Sequence, residues 1–323
     1  MQYQKSTKWE TIKQKYDHVI AWGTGSLLQM NYREEYFPLD MVVDGVGNHL
    51  GMQFGNLTVC EPAQIRTLSG KLLVVIYAIY ERDILRKLQE LGVEADTIIF
   101  DLLKVQTIRG KEFPLWHGKH ADDSVLMEIA GRLGIQDLHY LDIGVCHPVM
   151  RNNTYSLYEL GYTGALVEPN PMFHELISHY RPDDTLLKCG AGEHDGELEY
   201  YAFPDCPGFG TFNRSIGEAR KNQGLSCDII RIPIININHI IEKNYERYPN
   251  IVDIDAEGVD YALLESLDVQ RYPIEVIMCE TLHVEARFHT LMQQKGYKRY
   301  AVIGENTIYL RANIIPTGLF AFS

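Results

Sequence analysis

The feature that most constrains this chain is the repeated return of short apolar runs, each closed by a glycine or acidic turn and followed by helical periodicity. Apolar runs bounded by turn signals read as buried strands. HVIAWGTGS from His18, LDMVVD (Leu39 to Asp44), KLLVVIYAIY (Lys71 to Tyr80) and TIIF (Thr97 to Phe100) form a first set, with a helix over Ile84 to Leu91 stopped by Gly92. LHYLDIG, GALVEPN, TLLKCGAG, NIVDIDAEG and IEVIMCET form a second, with helices expected near 156–160, 172–179, 261–266 and 286–295. Strands that alternate with helices imply parallel sheets, because parallel neighbours need crossover connections. The end of the chain departs from this: YKRYAVIG and NTIYLR are joined across Gly304, Glu305 and Asn306, a link that only antiparallel neighbours can use.

Two such sets in 323 residues exceed what one core usually organises. The expected division is a small Rossmann-like α/β domain with its linker over residues 1–121, then a larger α/β domain over 122–323. The linker is read at 104–121, where Gly110, Pro114 and Gly118 interrupt the pattern. Asp122 to Leu133 is predicted as a helix, with Val125, Leu126, Ile129 and Leu133 on one face and Gly134 as its stop. A net charge of -13 argues against a sequence-independent grip on nucleic acid, which needs clustered cations. The six cysteines form no CxxC pair and read as reduced, mostly buried thiols. No apolar run approaches the ~20 residues of a spanning helix, and the N-terminus lacks a signal-peptide core. A cytoplasmic enzyme without a membrane span is the expectation, with homo-oligomerisation left open.

Ligands of open α/β sheets sit at the carboxyl ends of the strands, so the residues delivered there matter most. In the second domain these are Asp142 and Gly144, a carboxylate beside a turn whose glycine lets backbone approach a ligand. Glu168-Pro169-Asn170 follows, with a carboxylate able to accept both hydroxyls of a ribose or to stand simply as a solvated loop acid. Cys189-Gly190-Ala191-Gly192 offers small residues that leave room for an adenine ring or make a tight turn. The IVDIDAEG run places Asp253 and Asp255 on one side of a strand, with Glu257 in the next turn. Buried like charges are costly. Either one carboxyl has a raised pKa, which suits it to take a proton from a hydroxyl, or a cation such as Mg²⁺ is held, with Asp253, Asp255 and Glu280 as its candidate ligands. Asp255 or Glu257 could instead cap the helix that begins near Asp260. His283, and with less support His147, are candidate bases.

These residues carry a resemblance. LDIGVCHPVMRNNTYSLYELGYTGALVEPNP, then VDIDAEGVDYALLESLD and IMCET, resemble the FkbM family of S-adenosylmethionine-dependent methyltransferases over roughly Leu138 to Arg311. The resemblance implies a class I methyltransferase fold, with five β/α steps and a closing antiparallel hairpin. It further implies that Asp142 and Gly144 line the cofactor loop, that Asn153 and Thr154 lie near the amino-acid portion and that Glu168 holds the ribose, with Asn170 and Ala191 beside them. Asp255 and Glu257 would face the methyl group and the acceptor. That acceptor is expected to be a hydroxyl of a sugar or sugar-containing molecule, such as a nucleotide-linked precursor of a bacterial cell-surface polysaccharide. Val145-Cys146 departs from the Ala-Asn common in the family.

The first domain has its own signal. Gly23-Thr24-Gly25 follows a strand, and Asp44 lies at roughly the 20-residue distance of a dinucleotide fingerprint, but Leu28 occupies the third glycine position. A nucleotide-linked ligand and a purely scaffolding role both fit. Two competing readings of the whole chain follow: an NAD-dependent oxidoreductase using this turn, and a non-catalytic nucleotide-sugar binding protein. The first lacks a recognisable hydride site, and the second gives Asp253, Asp255 and Glu257 no reason to cluster.

Overall fold

A computed structural model describes residues 13–25, 28, 39–45, 47–78, 80–100, 105–108, 111–114, 116–281 and 285–314. The chain divides into two compact units, Met1–Leu115 and Trp116–Ser323.

In the first unit the strands are β1 (His18–Trp22), β2 (Met41–Val43), β3 (Gln53–Phe54), β4 (Leu57–Cys60), β5 (Leu72–Ile76) and β6 (Asp96–Ile99), with helix α1 over Glu81–Leu91. They make one sheet in the order β3-β4-β2-β1-β5-β6. All neighbours are parallel except β3 with β4. The short β3–β4 hairpin carries no apolar run and gave no signal in the sequence. Val19, Ala21, Val42, Leu73, Val75 and Leu28 form the core on one face. Gly92 stops α1 in the left-handed conformation, where its N–H reaches Leu88 and Gln89. The stretch read as linker contains a hairpin, β7 (Val105–Ile108) with β8 (Lys111–Pro114). Trp116 to Ala121 falls in the second unit.

The second unit opens with α2 (Asp122–Leu133), which buries Leu126 and Ile129 and ends at left-handed Gly134. Then follow β9 (His139–Ile143), α3 (Tyr155–Glu159), β10 (Thr163–Val167), α4 (Pro171–Tyr180), β11 (Thr185–Leu187), β12 (Gly190–Gly192) and β13 (Gly196–Ala202). The remainder comprises α5 (Arg214–Asn222), β14 (Asp228–Asn236), α6 (Ile237–Asn244), β15 (Ile251–Ile254), α7 (Asp260–Ser266), β16 (Val276–Glu280), α8 (Glu285–Gln294), β17 (Tyr297–Ile303) and β18 (Asn306–Arg311).

The main sheet runs β11-β10-β9-β15-β16-β18-β17. Its first five strands are parallel, and β18 inserts antiparallel between β16 and β17. This is the Rossmann-like methyltransferase arrangement expected from the closing hairpin. Alternation along the strands gives the sheet two cores. Leu141, Ile143, Val252, Ile254 and Ile277 pack on one face. Tyr140, Leu166, Ile251, Met278 and Ile308 pack on the other.

TLLKCGAG is split rather than continuous. β11 joins the main sheet, while β12 crosses into a separate three-stranded sheet, β12-β14-β13. All six cysteines are free, but only Cys189 and Cys279 are buried, which corrects the expectation of mostly buried thiols. Among the described residues, no helix is long and apolar enough to cross a membrane.

Candidate functional site

The carboxyl ends of β9, β10, β15 and β16 gather the residues singled out in the sequence. Gly144 follows β9 with φ 91°, and its N–H donates to the Val167 carbonyl. A Cβ there would collide with the Asp255 carbonyl oxygen. The glycine is therefore required where these two turns press together. Cys146 sits in the left-handed region at φ 53°, a conformation that asparagine tolerates better than cysteine. Its N–H donates to Glu168 Oε2 at 2.7 Å, while Glu168 Oε1 accepts from Asn170 N–H at 2.6 Å. Glu168 is thus a buried carboxylate fixed from both sides, with lone pairs left on each oxygen. Burial, then the nearby Asp142 charge, pushes its pKa up to about 7.

Asp142 lies within β9, and one of its two oxygens is held by the protein. Its Oδ2 accepts from the Thr154 hydroxyl at 2.6 Å and the Asn152 amide at 3.3 Å, and Arg181 lies 3.6 Å away. Arg181 carries no signature in the sequence, yet it is fully buried and is the hub of this region. It donates to Asp184 at 2.7 Å, Asn152 at 3.0 Å and Thr154 at 2.9 Å, with Tyr140 and Tyr158 against its guanidinium plane. The fork geometry and three acceptors make burial of this charge tolerable. It fixes the loop that carries Asn153, whose amide donates to Asp253 Oδ2 at 3.0 Å.

Asp253 stands beside Asp142 on the neighbouring strand. Its Oδ1 is buried and has no partner among the described residues, and the same holds for Asp123 Oδ1 at the start of α2. Burial and the Asp142 charge hold the Asp253 pKa well above the carboxylate range. Gly118 lies close to both Asp123 Oδ1 and Asn153 Oδ1. A cluster of buried acceptors with more acid than base suits a ligand group that brings positive charge.

The strand ends before Asp255. Asp255 N–H donates to the Ile143 carbonyl, and the side chain lies half-buried in the turn. Burial and then the charges of Glu280, Asp260, Asp253 and Glu257 raise its pKa well above the usual range. Glu280 is pushed up to about 7 by burial, then by Glu257, Asp260 and Glu305. Glu257 takes a left-handed φ of 49° and pairs with Arg220 of α5 at 2.7 Å. It is an ion-paired carboxylate whose charge still acts on Asp255 and Glu280. Neither Asp255 nor Glu257 caps α7. Asp260 instead organises the turn, accepting from Ala256 N–H at 2.7 Å and Gly258 N–H at 3.0 Å.

Among the described residues, no three His, Cys, Asp or Glu side chains are grouped to hold a metal ion. The set Asp253, Asp255 and Glu280 fails because Asp253 sits back within β15, on the face where Asn153 takes its carboxylate. His147 is buried, and its Nδ1 accepts from Val149 and Met150 N–H, so it shapes the turn rather than serving as a base. His283 lies outside the described residues.

The three-stranded sheet supplies parts with weaker sequence signals. Ala191 packs into the core beside Ile237, and a Cβ on Gly190 would meet the Phe212 ring at 2.6 Å, so the small residues of β12 are needed for packing. Asn170 caps α4 by accepting from Met172 N–H, and its amide donates to the Pro207 carbonyl at 3.3 Å. Buried Tyr200 lies within the electrostatic reach of Glu168, Cys146 and Glu257, and its hydroxyl occupies the space beside Gly210. Only the adjacent tyrosines of GELEYYAF hinted at this, since neighbours on a strand face opposite ways.

Residues 142–299 match the family model of the methyltransferase FkbM domain. No curated protein matches the chain.

Proposed function

Starting from the methyltransferase FkbM domain at residues 142–299, we propose that the second unit transfers a methyl group from S-adenosylmethionine to a hydroxyl of a sugar or sugar-containing acceptor. The observation that carries this reading is Glu168, a buried carboxylate at the end of β10 held by two backbone N–H groups with acceptor capacity to spare. Such a group suits the two hydroxyls of a ribose. The residues present fit the rest of the molecule. The unpartnered oxygens of Asp253 and Asp123 suit an ammonium group, and Asn153 and Thr154, tied to Arg181 and the two aspartates, would hold the loop against the amino-acid end.

S-adenosylmethionine, when bound, supplies a methyl carbon already activated by a sulfonium. The protein then has three tasks: to align the acceptor oxygen, exclude water and remove a proton. Alignment alone can contribute several kcal/mol. Asp255 is the residue for the proton, because burial and its acidic neighbours make it a stronger base than a solvated carboxylate. Glu280, set near neutrality, shares that field. Glu257 is better placed to hold Arg220, and with it the chain from Phe209 to α5, than to accept a proton.

The test is methyl transfer from methyl-labelled S-adenosylmethionine into a hydroxyl-rich extract, read by mass spectrometry. Wild-type protein should label a hydroxyl, and Asp255→Asn should bind the methyl donor with unchanged affinity yet lose at least ~100-fold of the rate. Full activity in Asp255→Asn removes the assigned role, and labelling only of nitrogen or carbon removes the hydroxyl acceptor.

A further inference from the structure

The first unit carries strand-end residues that methyl transfer does not use. Its chain leaves β1 for β2 and β4 on one side and resumes with β5 and β6 on the other. β1 and β5 therefore flank the point where the winding reverses, and open parallel sheets take ligands outside the strand carboxyl ends at such a point. There β1 runs into Gly23-Thr24-Gly25, β2 into Asp44 and β5 into Tyr77-Ala78. Gly23, at φ 103°, is braced: a Cβ would stand 3.2 Å from both the Ala78 Cβ and the Tyr77 carbonyl oxygen. A Cβ on Gly25 would meet nothing within 4 Å. The turn is fixed on one side and open on the other.

Asp44 occupies the position of the ribose-binding acid in dinucleotide sites, but it is already engaged. It is buried, and its Oδ2 accepts from Thr24 N–H at 2.8 Å and from the Thr24 hydroxyl. His49 Nδ1 lies 2.8 Å from Thr24 Oγ1 and 3.1 Å from Asp44 Oδ2. Because the threonine hydroxyl gives its proton to Asp44, both atoms facing Nδ1 are acceptors, so Nδ1 carries the hydrogen. In the neutral ring the free lone pair is then on Nε2. Among the described residues, neither Nε2 nor the Gly25 N–H has a protein partner. The His49 side chain is 31% exposed, enough for a ligand to reach it.

We infer that this crevice binds a nucleotide or nucleotide-linked metabolite. His49 Nε2 accepts a ribose hydroxyl in place of the usual acid, the Gly25 N–H donates to a phosphoryl oxygen, and Asp44 and Thr24 hold His49 in its tautomer. The inference is independent of the methyltransferase reading, since it concerns the other unit.

Calorimetry on the full-length protein with ADP, UDP, GDP, CDP and inorganic phosphate tests it. At least one nucleoside diphosphate should bind saturably, and much more tightly than phosphate alone. His49→Ala should weaken that binding by about tenfold, the loss of one hydrogen bond. Gly25→Val, whose Cβ would have no atom within 4 Å, should weaken it at an unchanged thermal midpoint. S-adenosylmethionine binding should be the same in both variants. Absence of binding by all four diphosphates overturns the proposal. So does binding that Gly25→Val and His49→Ala both leave intact, or that S-adenosylmethionine displaces.

Discussion

At the scale of single residues, Glu168 is the most informative side chain. Its native pKa of about 7 lies above the ~4.3 of an unfolded glutamate, so the native state binds more protons between those values. Its contribution to stability is therefore fully present below about pH 4 and lost as pH rises through 7, a change on the order of 3–4 kcal/mol. Urea unfolding of the ligand-free protein at pH 4.5 and 7.5 should show that loss, and Glu168→Gln should shrink it. Ribose hydroxyls donate to the ionised form, so affinity for S-adenosylmethionine should rise from pH 6 to 8 in wild type and stay flat in Glu168→Gln. A flat wild-type profile would detach Glu168 from the ligand. Cys146 offers a second check. With φ at 53°, Cys146→Asn should gain on the order of 1 kcal/mol from relief of left-handed strain, read as a higher urea midpoint. If neither Asn nor Gly raises the midpoint, the strain is absent. Glu168 was legible because a carboxylate closing an apolar run falls at a strand end. The pairing of Glu257 with Arg220 was not legible, because it joins positions far apart in the chain, which strand spacing does not register.

At the scale of elements, Arg181 ties the end of α4 to β9 and to the loop from Asn152 to Thr154. Arg181→Met should destabilise the protein by about 3–5 kcal/mol, since it strands Asp142 and Asp184 without their counter-charge. Differential unfolding in urea would measure it, and a loss below ~1 kcal/mol would mean that the two acids are neutralised otherwise. This network had no sequence signal because its members are scattered through the second unit and only folding brings them together. The main-sheet strands and their helices, by contrast, announced themselves through apolar runs and glycine stops. The helix over Asp122–Leu133 begins and ends where its acidic start and Gly134 put it. What stayed hidden were β14, α5 and α6. There, exposed strand residues such as Ile229 and a polar helix such as Arg214–Asn222 blur the periodicity that marks a buried element.

At the scale of the whole molecule, two α/β units with separate sheets share one chain, and the strand order of the second follows from the closing hairpin. Inserting β18 between β16 and β17 puts antiparallel partners beside parallel ones, which a simple dinucleotide-binding sheet has no need to do. The same order brings the ends of β9, β10, β15 and β16 together, so Glu168 and Asp255 stand at one edge of the sheet although their runs are far apart in sequence. The most direct measurement of the central claim is isothermal calorimetry of the full-length protein with S-adenosylmethionine and, separately, with NAD. Saturable binding of S-adenosylmethionine is expected, weakened about tenfold or more in Glu168→Ala. Undetectable binding of S-adenosylmethionine together with tight binding of NAD would contradict it.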